Sequence, residues 1–136
     1  MADVHSQEQR SRNMAAIRAK DTSPEIAVRR LLHRLGYRYR LHVKDLPGKP
    51  DIVLPRFHAI VEVRGCFWHR HPGCRYATSP ATRQEFWQAK FKENMARDRR
   101  VEELLSQQGW RLEIVWECEI REMATLETKL VKFLSL

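Results

Sequence analysis

The first third of the chain carries a set of apolar residues with the spacing of an amphipathic helix. Its members are Ile26, Val28, Leu31, Leu32 and Leu35. Just before them, Ser23-Pro24-Glu25 has the composition of a helix start, with Ser23 as the cap and Glu25 at the positive end of the helix dipole. Gly36 has the backbone freedom that a helix end requires. The pattern therefore predicts a helix that begins at Ser23 and ends at Leu35.

Three strands are predicted after this helix. Residues 37–43 alternate between apolar and basic side chains, which is typical of a half-exposed strand with a basic face. Pro47 and Gly48 lie in the tight connection that follows. Residues 51–54 form the second predicted strand, and residues 58–63 form a third that is apolar enough to be central.

A long helix, a fourth strand and a C-terminal helix complete the prediction. The long helix covers residues 82–107, with Gly109 after it, and the strand and last helix cover residues 110–118 and 120–136. The apolar stripe of the long helix is assigned to Trp87, Phe91, Met95, Val101, Leu104 and Leu105. This order of elements predicts a mixed α/β fold in which helices cover a central sheet.

Length and charge indicate one DNA-binding domain. The chain has 136 residues, near the commonest size of a single domain, and a net charge of +8. Such an excess of Lys and Arg favours a nucleic acid as partner, because neutralising phosphates releases their counterions. Residues 1–20 are predicted to be a flexible basic arm, and residues 21–136 the folded domain.

The sequence gives no indication of a membrane or secreted protein. Its apolar runs are far shorter than the about 20 residues of a membrane span, and the N-terminus is polar. The chain has three cysteines, an odd number that argues against a disulfide framework. We therefore expect a cytoplasmic protein in which the cysteines bind metal or are simply buried.

Asp51 begins one predicted strand, and Glu62-Val63-Arg64 lies on its neighbour. Oxygen ligands on adjacent strands suit Mg²⁺, which can polarise a phosphodiester and activate water. Arg64 cannot act as a base at neutral pH and is interpreted as a phosphate clamp. The pattern alone is weak, because Pro-Asp turns and Glu-x-Arg triplets are frequent.

Cys66, His71 and Cys74 are close in sequence, and Cys118 ends the fourth predicted strand. If that strand lies beside the third, these four residues can complete a tetrahedral structural zinc site in the irregular loop 65–80. His69 is an alternative ligand. If zinc takes His71, then His69 is free to act as a general acid or base near Asp51.

Aromatic and polar residues beside this loop suggest contacts with DNA. Phe67-Trp68 and Phe86-Trp87 can stack on bases or wedge between base pairs, although core packing explains most Trp residues. Two adjacent bulky rings at 67 and 68 fit core packing less well. Lys90, Asn94 and Asp98 share one face of the long helix and can point at the phosphate or be solvated.

Together these residues resemble the very short patch repair (Vsr-type) DNA mismatch endonucleases of bacteria. The resemblance covers residues 10 to about 120, and Gly65-Cys66-Phe67-Trp68-His69 is its most specific segment. The other matching segments are Arg10-Ser11-Arg12-Asn13-Met14, Asp21-Thr22-Ser23-Pro24-Glu25, Pro47-Gly48-Lys49-Pro50-Asp51, Phe86-Trp87, Asn94, Arg97-Asp98-Arg99-Arg100, Gly109-Trp110 and Val115-Trp116-Glu117-Cys118.

The resemblance implies a restriction-endonuclease-like three-layer α/β/α fold of the PD-(D/E)xK superfamily. It also implies an enzyme that nicks DNA beside a T·G mismatch left by deamination of 5-methylcytosine. It implies that Asp51 binds the catalytic Mg²⁺, that His69 is the catalytic histidine, and that Glu25 and Asp98 arrange water and His69. The implied zinc ligands are Cys66, His71, Cys74 and Cys118. The implied intercalating residues are Phe67, Trp68 and Trp87, with Met14 of the arm in the opposite groove.

Two departures from the family pattern stand out. Val63-Arg64 replaces a Thr-His pair, which leaves the second metal ligand open between the Glu62 carboxylate and the Val63 carbonyl, with the carbonyl favoured. The loop around His71-Pro72-Gly73-Cys74 is one residue longer.

Two other functions compete with a mismatch nickase. One is a zinc-containing protein that binds DNA or mismatches without cutting; the other is a related nuclease with an unmismatched target. A monomer is expected for a mismatch enzyme, because a mismatch has no two-fold symmetry.

Overall fold

The computed structural model describes residues 22–135. The elements follow in the order α1 (Ser23–Arg34), β1 (Arg40–Leu41), β2 (Ile52–Leu54), a 3₁₀ helix (Pro55–Phe57), β3 (Ala59–Arg64), α2 (Gln84–Gln107), β4 (Arg111–Trp116), a second 3₁₀ helix (Glu117–Arg121) and α3 (Met123–Leu134). The predicted sequence of helices and strands is confirmed. The arm predicted at residues 1–20, including Met14, lies outside the described residues.

The strands form one four-stranded sheet in the order β1-β2-β3-β4. β1 and β2 are antiparallel, as are β2 and β3, whereas β3 and β4 are parallel. The register pairs Ile52 with Val61 across β2 and β3, and Arg64 with Trp116 across β3 and β4. The sheet is therefore mixed, and the ends of β3 and β4 that precede the cysteine-rich segments lie side by side.

Helices pack on both faces of the sheet. One face carries the larger core, in which residues of α1 and α3 such as Leu31 and Leu130 meet Val61 of β3. The other face carries a smaller cluster, in which Leu105 of α2 meets Val53 and Ile60. Because β3 is covered on both faces, its residues Ala59, Ile60 and Val61 are fully buried. The predicted α/β class with helices over a central sheet is confirmed.

The N-cap of α1 is Thr22, and the prediction that Ser23 is the cap is wrong by one residue. The Thr22 side chain accepts a hydrogen bond from the Glu25 backbone nitrogen at 3.4 Å, and Ser23 is already helical. Pro24 lies in the first turn, as its missing N–H favours. Glu25 is buried at 2% exposure, so α1 carries a carboxylate into the interior.

The strand predicted at residues 37–43 is much shorter, since β1 contains only Arg40 and Leu41. His42 has φ 50°, a left-handed conformation that breaks the strand. Tyr37 and Tyr39 instead pack against the core, and the Tyr39 hydroxyl donates a hydrogen bond to the Arg29 carbonyl at 3.0 Å. The alternation in the sequence therefore reflects packing against α1 more than strand pairing.

The predicted apolar stripe of α2 is also partly wrong, because Met95 and Leu104 are exposed at 36% and 46%. The buried residues of α2 are Phe91, Asn94 and Leu105. With Asp98 and Val101 they are spaced alternately by three and four positions, which is the spacing of one helix face. The inward face of α2 thus includes two polar residues.

The last two predicted elements are both shorter than expected. β4 stops at Trp116, and Cys118 lies in the following 3₁₀ helix. The predicted helix 120–136 begins only at Met123. No helix within residues 22–135 is both long and apolar enough to cross a membrane.

Candidate active site and metal site

Asp51 directly precedes β2 and lies at the centre of a group of acidic and histidine side chains. Burial, followed by the carboxylates of Glu25 and Glu62, raises its pKa to about 6, against the opposing influence of His42 and His69. The Asp51 carboxylate has no hydrogen bond from any residue between 22 and 135. A carboxylate that is crowded by two others and lacks a donor is well suited to a cation.

Glu25 and His42 are the nearest partners of this carboxylate. One ligand atom each of Glu25, His42 and Asp51 lies within 4.8 Å of the other two. The His42 Nε2 atom lies 3.1 Å and 3.3 Å from the two carboxylate oxygens of Glu25, and Arg29 donates to one of them at 2.8 Å. Helix α1 and the bend after β1 therefore meet at the start of β2.

Glu62 and Arg64 both lie on β3 beside this site. The Arg64 guanidinium contacts Glu62 at 3.0 Å and Glu102 of α2 at 3.0 Å, with the Arg64 side chain only 7% exposed. Burial lowers the pKa of Arg64, but Glu62, Asp98 and Glu102 outweigh it and raise the pKa overall. Its Nε is the one buried side-chain nitrogen or oxygen without a hydrogen-bond partner in the part of the chain that the structure describes.

His69 pairs with Asp98, the polar residue on the inward face of α2. Its Nδ1 lies 2.7 Å from Asp98 Oδ2, and both side chains are largely buried. Since an ionised carboxylate only accepts hydrogen bonds, Nδ1 carries the proton and the other ring nitrogen, Nε2, is left as an acceptor. Asp98 therefore fixes the tautomer and orientation of His69.

Asn94 connects the same helix to the loop after β3. Its side-chain amide donates to the Trp68 carbonyl at 3.2 Å, and Arg97 donates to the Asn94 oxygen at 3.4 Å. Asn94 is 5% exposed, so this bond is shielded from water. The contact holds the backbone next to His69.

The structure brings Cys66, His71, Cys74 and Cys118 together. One ligand atom from each lies within 4.8 Å of the others, and Cys118 Sγ is 3.5 Å from His71 Nδ1. The parallel pairing of β3 and β4 accounts for the approach of Cys118, as predicted. Of the two histidines considered, His71 is the one that lies among the cysteines, whereas His69 faces Asp98.

The three cysteine thiols lie close together and are partly buried. Burial raises the pKa of Cys66 to about 12, and it also raises the pKa of Cys118. The His71 ring stacks on Trp116 with centroids 4.2 Å apart, which fixes the ring from one side. Three sulfurs and one nitrogen at this separation fit a tetrahedral cation that binds thiolates.

The aromatic residues form one cluster at the start of α2. Phe67 contacts Trp68, Trp87 and Phe91 with ring centroids between 5.2 Å and 5.6 Å apart. Arg70 lies over Phe91 at 4.1 Å. Trp68 is only 7% exposed, so the expectation that core packing fits this ring poorly is wrong, whereas Phe67 is half-buried. Trp87 and Lys90 are half-buried and Phe86 is exposed.

His42 is the site residue that the sequence did not identify. It was assigned to the basic face of a strand, and only the left-handed backbone turns its ring towards Glu25. Asn94 and Asp98 were identified, and the three-and-four spacing of the inward face of α2 is the pattern that marks them. Phe91 and Arg70 complete the aromatic cluster beyond the residues proposed for DNA contact.

Comparison with known proteins gives consistent results. The profile of the family described as DNA mismatch endonuclease Vsr matches residues 2–75. The chain is 49% identical to the type II nicking enzyme V.XorIIP of Xanthomonas oryzae pv. oryzae, over 96% of this chain and 95% of that protein. It is 45% identical to the DNA mismatch endonuclease Vsr of Escherichia coli, over 89% of this chain and 77% of that protein. It is 38% identical to the type II nicking enzyme V.NmeAIP of Neisseria meningitidis, over 96% of this chain and 92% of that protein.

Proposed function

Since the chain belongs to the DNA mismatch endonuclease Vsr family, we propose that it nicks one strand of double-stranded DNA beside a T·G mismatch and so initiates very short patch repair. The observation that carries the proposal is the position of Asp51. Its carboxylate lies close to two other carboxylates, and His69 is near enough to lower its pKa. The sheet with helices on both faces suits a restriction-endonuclease-like fold. Cytoplasmic DNA is the proposed substrate, and the enzyme is proposed to act as a monomer.

Asp51 and the backbone carbonyl of Val63 are the proposed ligands of a catalytic Mg²⁺. The alternative ligand is Glu62, whose Oε2 accepts a hydrogen bond from Arg64 at 3.0 Å. The carbonyl is preferred because of the resemblance to the family. When bound, Mg²⁺ would polarise the scissile phosphodiester and favour deprotonation of the attacking water. Glu25 lies beside Asp51 and is proposed to arrange the water molecules of the site.

His69 is the proposed group for proton transfer. Its Nδ1–H is donated to Asp98 at 2.7 Å, so Nε2 is the atom that can take a proton from water or pass one to the leaving oxygen. Asp98 keeps the ring oriented for that transfer, in the way that a carboxylate orients a catalytic histidine in other hydrolases.

Arg64 is proposed as the phosphate clamp. Two acidic partners hold its guanidinium cationic, and its Nε is a donor without a partner. Because this Nε is buried, a phosphate oxygen can reach it only after the side chain moves. A lysine at this position would keep the charge but lose the fork of donors.

Cys66, His71, Cys74 and Cys118 are proposed to hold a structural Zn²⁺. The four donors fit a closed tetrahedral site, and residues 65–83 have no helix or strand of their own. An ion here would fix the loop that carries Phe67, Trp68 and His69 to the end of β4.

Phe67, Trp68 and Trp87 are proposed to intercalate at the mismatch, with Lys90 and Asn94 close to the backbone. Trp68 is buried among the other rings, so intercalation requires the cluster to open. The net charge of +8 supports binding to the duplex. Met14 and the rest of residues 1–20 are proposed to contact the opposite groove.

A nicking assay tests the proposal. T·G duplexes and matched T·A duplexes, in several flanking contexts, are incubated with Mg²⁺, and nicked strands are resolved on denaturing gels. We expect nicking of the T·G duplex, with a rate at least about 100-fold lower for Asp51→Ala because several kcal/mol of charge stabilisation are lost. Asp45→Ala, at an exposed loop aspartate, is the matched control and should retain the rate.

The other outcomes identify the competing functions. Equal inactivity of wild type and Asp51→Ala on every mismatch and context contradicts the proposal. Binding of T·G duplexes without cleavage indicates a non-catalytic mismatch-binding protein. Equal cleavage of T·G and T·A duplexes indicates a nuclease with an unmismatched target.

A further inference from the structure

Three potential ligands of different chemistry converge at the start of β2. Glu25 comes from α1, His42 follows β1, and Asp51 precedes β2, yet their ligand atoms all lie within 4.8 Å of one another. The side chains of Glu25 and His42 are 3% and 18% exposed. The group therefore offers two carboxylates and an imidazole in a pocket that is largely shielded from water.

The backbone of His42 is held in the conformation that places its ring there. Its φ of 50° is unfavourable for a residue with a side chain and persists where neighbouring contacts enforce it. The His42 N–H donates to the Asp51 carbonyl at 2.9 Å, and the Val43 N–H donates to the Pro50 carbonyl at 3.3 Å. These bonds tie the bend after β1 to the same segment that carries Asp51.

The separations match those of neighbouring ligands on one ion. Two ligand atoms at right angles, each about 2.1 Å from a divalent cation, lie about 3 Å apart. The Nε2 atom of His42 is 3.1 Å and 3.3 Å from the two Glu25 oxygens. A cation can replace the proton between His42 Nε2 and Glu25, with that proton moving to Nδ1 of the same ring.

We propose that His42 is a nitrogen ligand of the cation at Asp51, and that Glu25, besides arranging water, binds the same ion through Oε1, because Arg29 holds Oε2. The site consequently binds Mn²⁺ more tightly than Mg²⁺. This rests on the proposed function, which places a cation at Asp51. Imidazole binds first-row transition ions, which include Mn²⁺, more readily than it binds Mg²⁺. Mn²⁺ also accepts carboxylates and water as ligands. A mixed set of two carboxylates and one imidazole therefore favours Mn²⁺.

Electron paramagnetic resonance of bound Mn²⁺ tests the proposal without DNA. The protein is first given one equivalent of Zn²⁺ to fill the Cys66/His71/Cys74/Cys118 group. Free Mn²⁺ is then titrated, Mg²⁺ is used as competitor, and electron spin echo modulation reports directly bound nitrogen. We expect ¹⁴N modulation in the wild type and affinity for Mn²⁺ at least about tenfold above that for Mg²⁺.

His42→Asn is the decisive variant, because asparagine adopts the left-handed conformation readily. It should lose the ¹⁴N modulation and at least about tenfold in Mn²⁺ affinity. His33→Gln, at an exposed histidine of α1, and His69→Asn should retain the modulation. Labelling the wild type with ¹⁵N-histidine should convert the pattern to that of ¹⁵N, which keeps the test independent of how well a variant folds.

Several results would overturn the inference. They are ¹⁴N modulation that persists in His42→Asn, wild-type modulation that is absent or insensitive to ¹⁵N-histidine, and equal affinity for Mn²⁺ and Mg²⁺. Retention of the ion by Asp51→Asn would also overturn it, because the ion would then lie elsewhere. A nicking assay on the same preparations separates the two proposals, since nicking with Mg²⁺ can succeed while His42 proves not to be a ligand.

Discussion

The surroundings of Asp51 disfavour the ionised form of its carboxyl group. Burial, Glu25 and Glu62 together raise its pKa to about 6, from a usual value of 3.8. A folded-state pKa above the unfolded value means that the native protein binds the proton more tightly. The resulting stability is present below about pH 3.8 and is lost as the pH rises through about 6. A cation in the site would remove this penalty.

We therefore expect Asp51→Asn to stabilise the protein at pH 8 in buffer without divalent cations other than Zn²⁺. A shift of about two pKa units corresponds to about 3 kcal/mol, which partial exposure reduces to about 1–2 kcal/mol. The gain should shrink at pH 5, where wild-type Asp51 is mostly protonated. Urea unfolding at the two pH values measures it, with Asp45→Asn as the exposed control; an equal gain at both contradicts the prediction.

Asn94 is a buried polar residue that takes part in two hydrogen bonds, one to the Trp68 carbonyl and one from Arg97. Replacing it with alanine removes the donor to the Trp68 carbonyl. We expect Asn94→Ala to lower the free energy of unfolding by about 1–3 kcal/mol. Glu93→Ala, on the exposed side of the same turn, should stay within about 0.5 kcal/mol. Urea denaturation measures both, and equal values would mean that the bond contributes nothing.

At the scale of elements, the turn before Asp51 is fitted closely to α2. Gly48 has φ 75°, and a Cβ atom there would lie 2.6 Å from a methyl carbon of Val101. The turn that leads into Asp51 thus rests directly on the C-terminal part of α2, at Val101. Because α2 also carries Asp98, this contact couples the positions of the two halves of the site.

We expect Gly48→Ala to destabilise the protein through both backbone strain and steric overlap. Gly36 has φ 95° with nothing within 4 Å of an added Cβ, so Gly36→Ala isolates the strain, about 1 kcal/mol. Gly48→Ala should cost about 1–3 kcal/mol more. The double variant Gly48→Ala/Val101→Ala should recover part of that excess. A double-mutant cycle from thermal unfolding measures the coupling, and strict additivity would contradict the steric explanation.

At the scale of the whole molecule, the Cys66/His71/Cys74/Cys118 group connects the loop after β3 to the segment after β4. The loop carries the aromatic cluster and His69, and residues 65–83 contain no helix or strand. The His69–Asp98 pair and the Asn94–Trp68 hydrogen bond hold this loop to α2, whereas the contact of His71 Nδ1 with Cys118 Sγ joins it to the segment after β4. We therefore propose that a metal bound by this group, through Cys118, contributes to the order of the loop.

We expect Cys118→Ser to lose most of the bound Zn²⁺ and to make the loop sensitive to trypsin at Arg70 and Arg75. Both the loss of metal and the exposed loop follow if the fourth ligand closes the site. Elemental analysis and limited proteolysis measure the two effects. Cleavage at Arg99 and Arg100, within α2, serves as the internal control and should stay slow in both proteins. Unchanged metal content and cleavage rates would contradict a structural metal site.

The sequence by itself determined the order of the elements, the α/β class and most residues of the site. Periodicity encodes which face of a helix or strand is apolar, so α1, β3 and the length of α2 were predicted correctly. The cysteines stand out by their spacing around His71, whereas Asp51, His69 and Asp98 rest on weak local patterns that the resemblance to the family strengthens. The register of the parallel strands then brought Cys118 to Cys66, as expected.

Only the tertiary structure decided which groups meet. The contact between His42 and Glu25 spans 17 residues, and that between His69 and Asp98 spans 29. The left-handed backbone of His42, the burial of Trp68 and the pairing of Arg64 with Glu102 depend on packing between elements. Local patterns carry no information on such contacts, because a side chain's partner is set by the positions of elements distant in sequence. The ring of His42 faces Asp51 for that reason, although the alternation in the sequence placed it on a basic strand face.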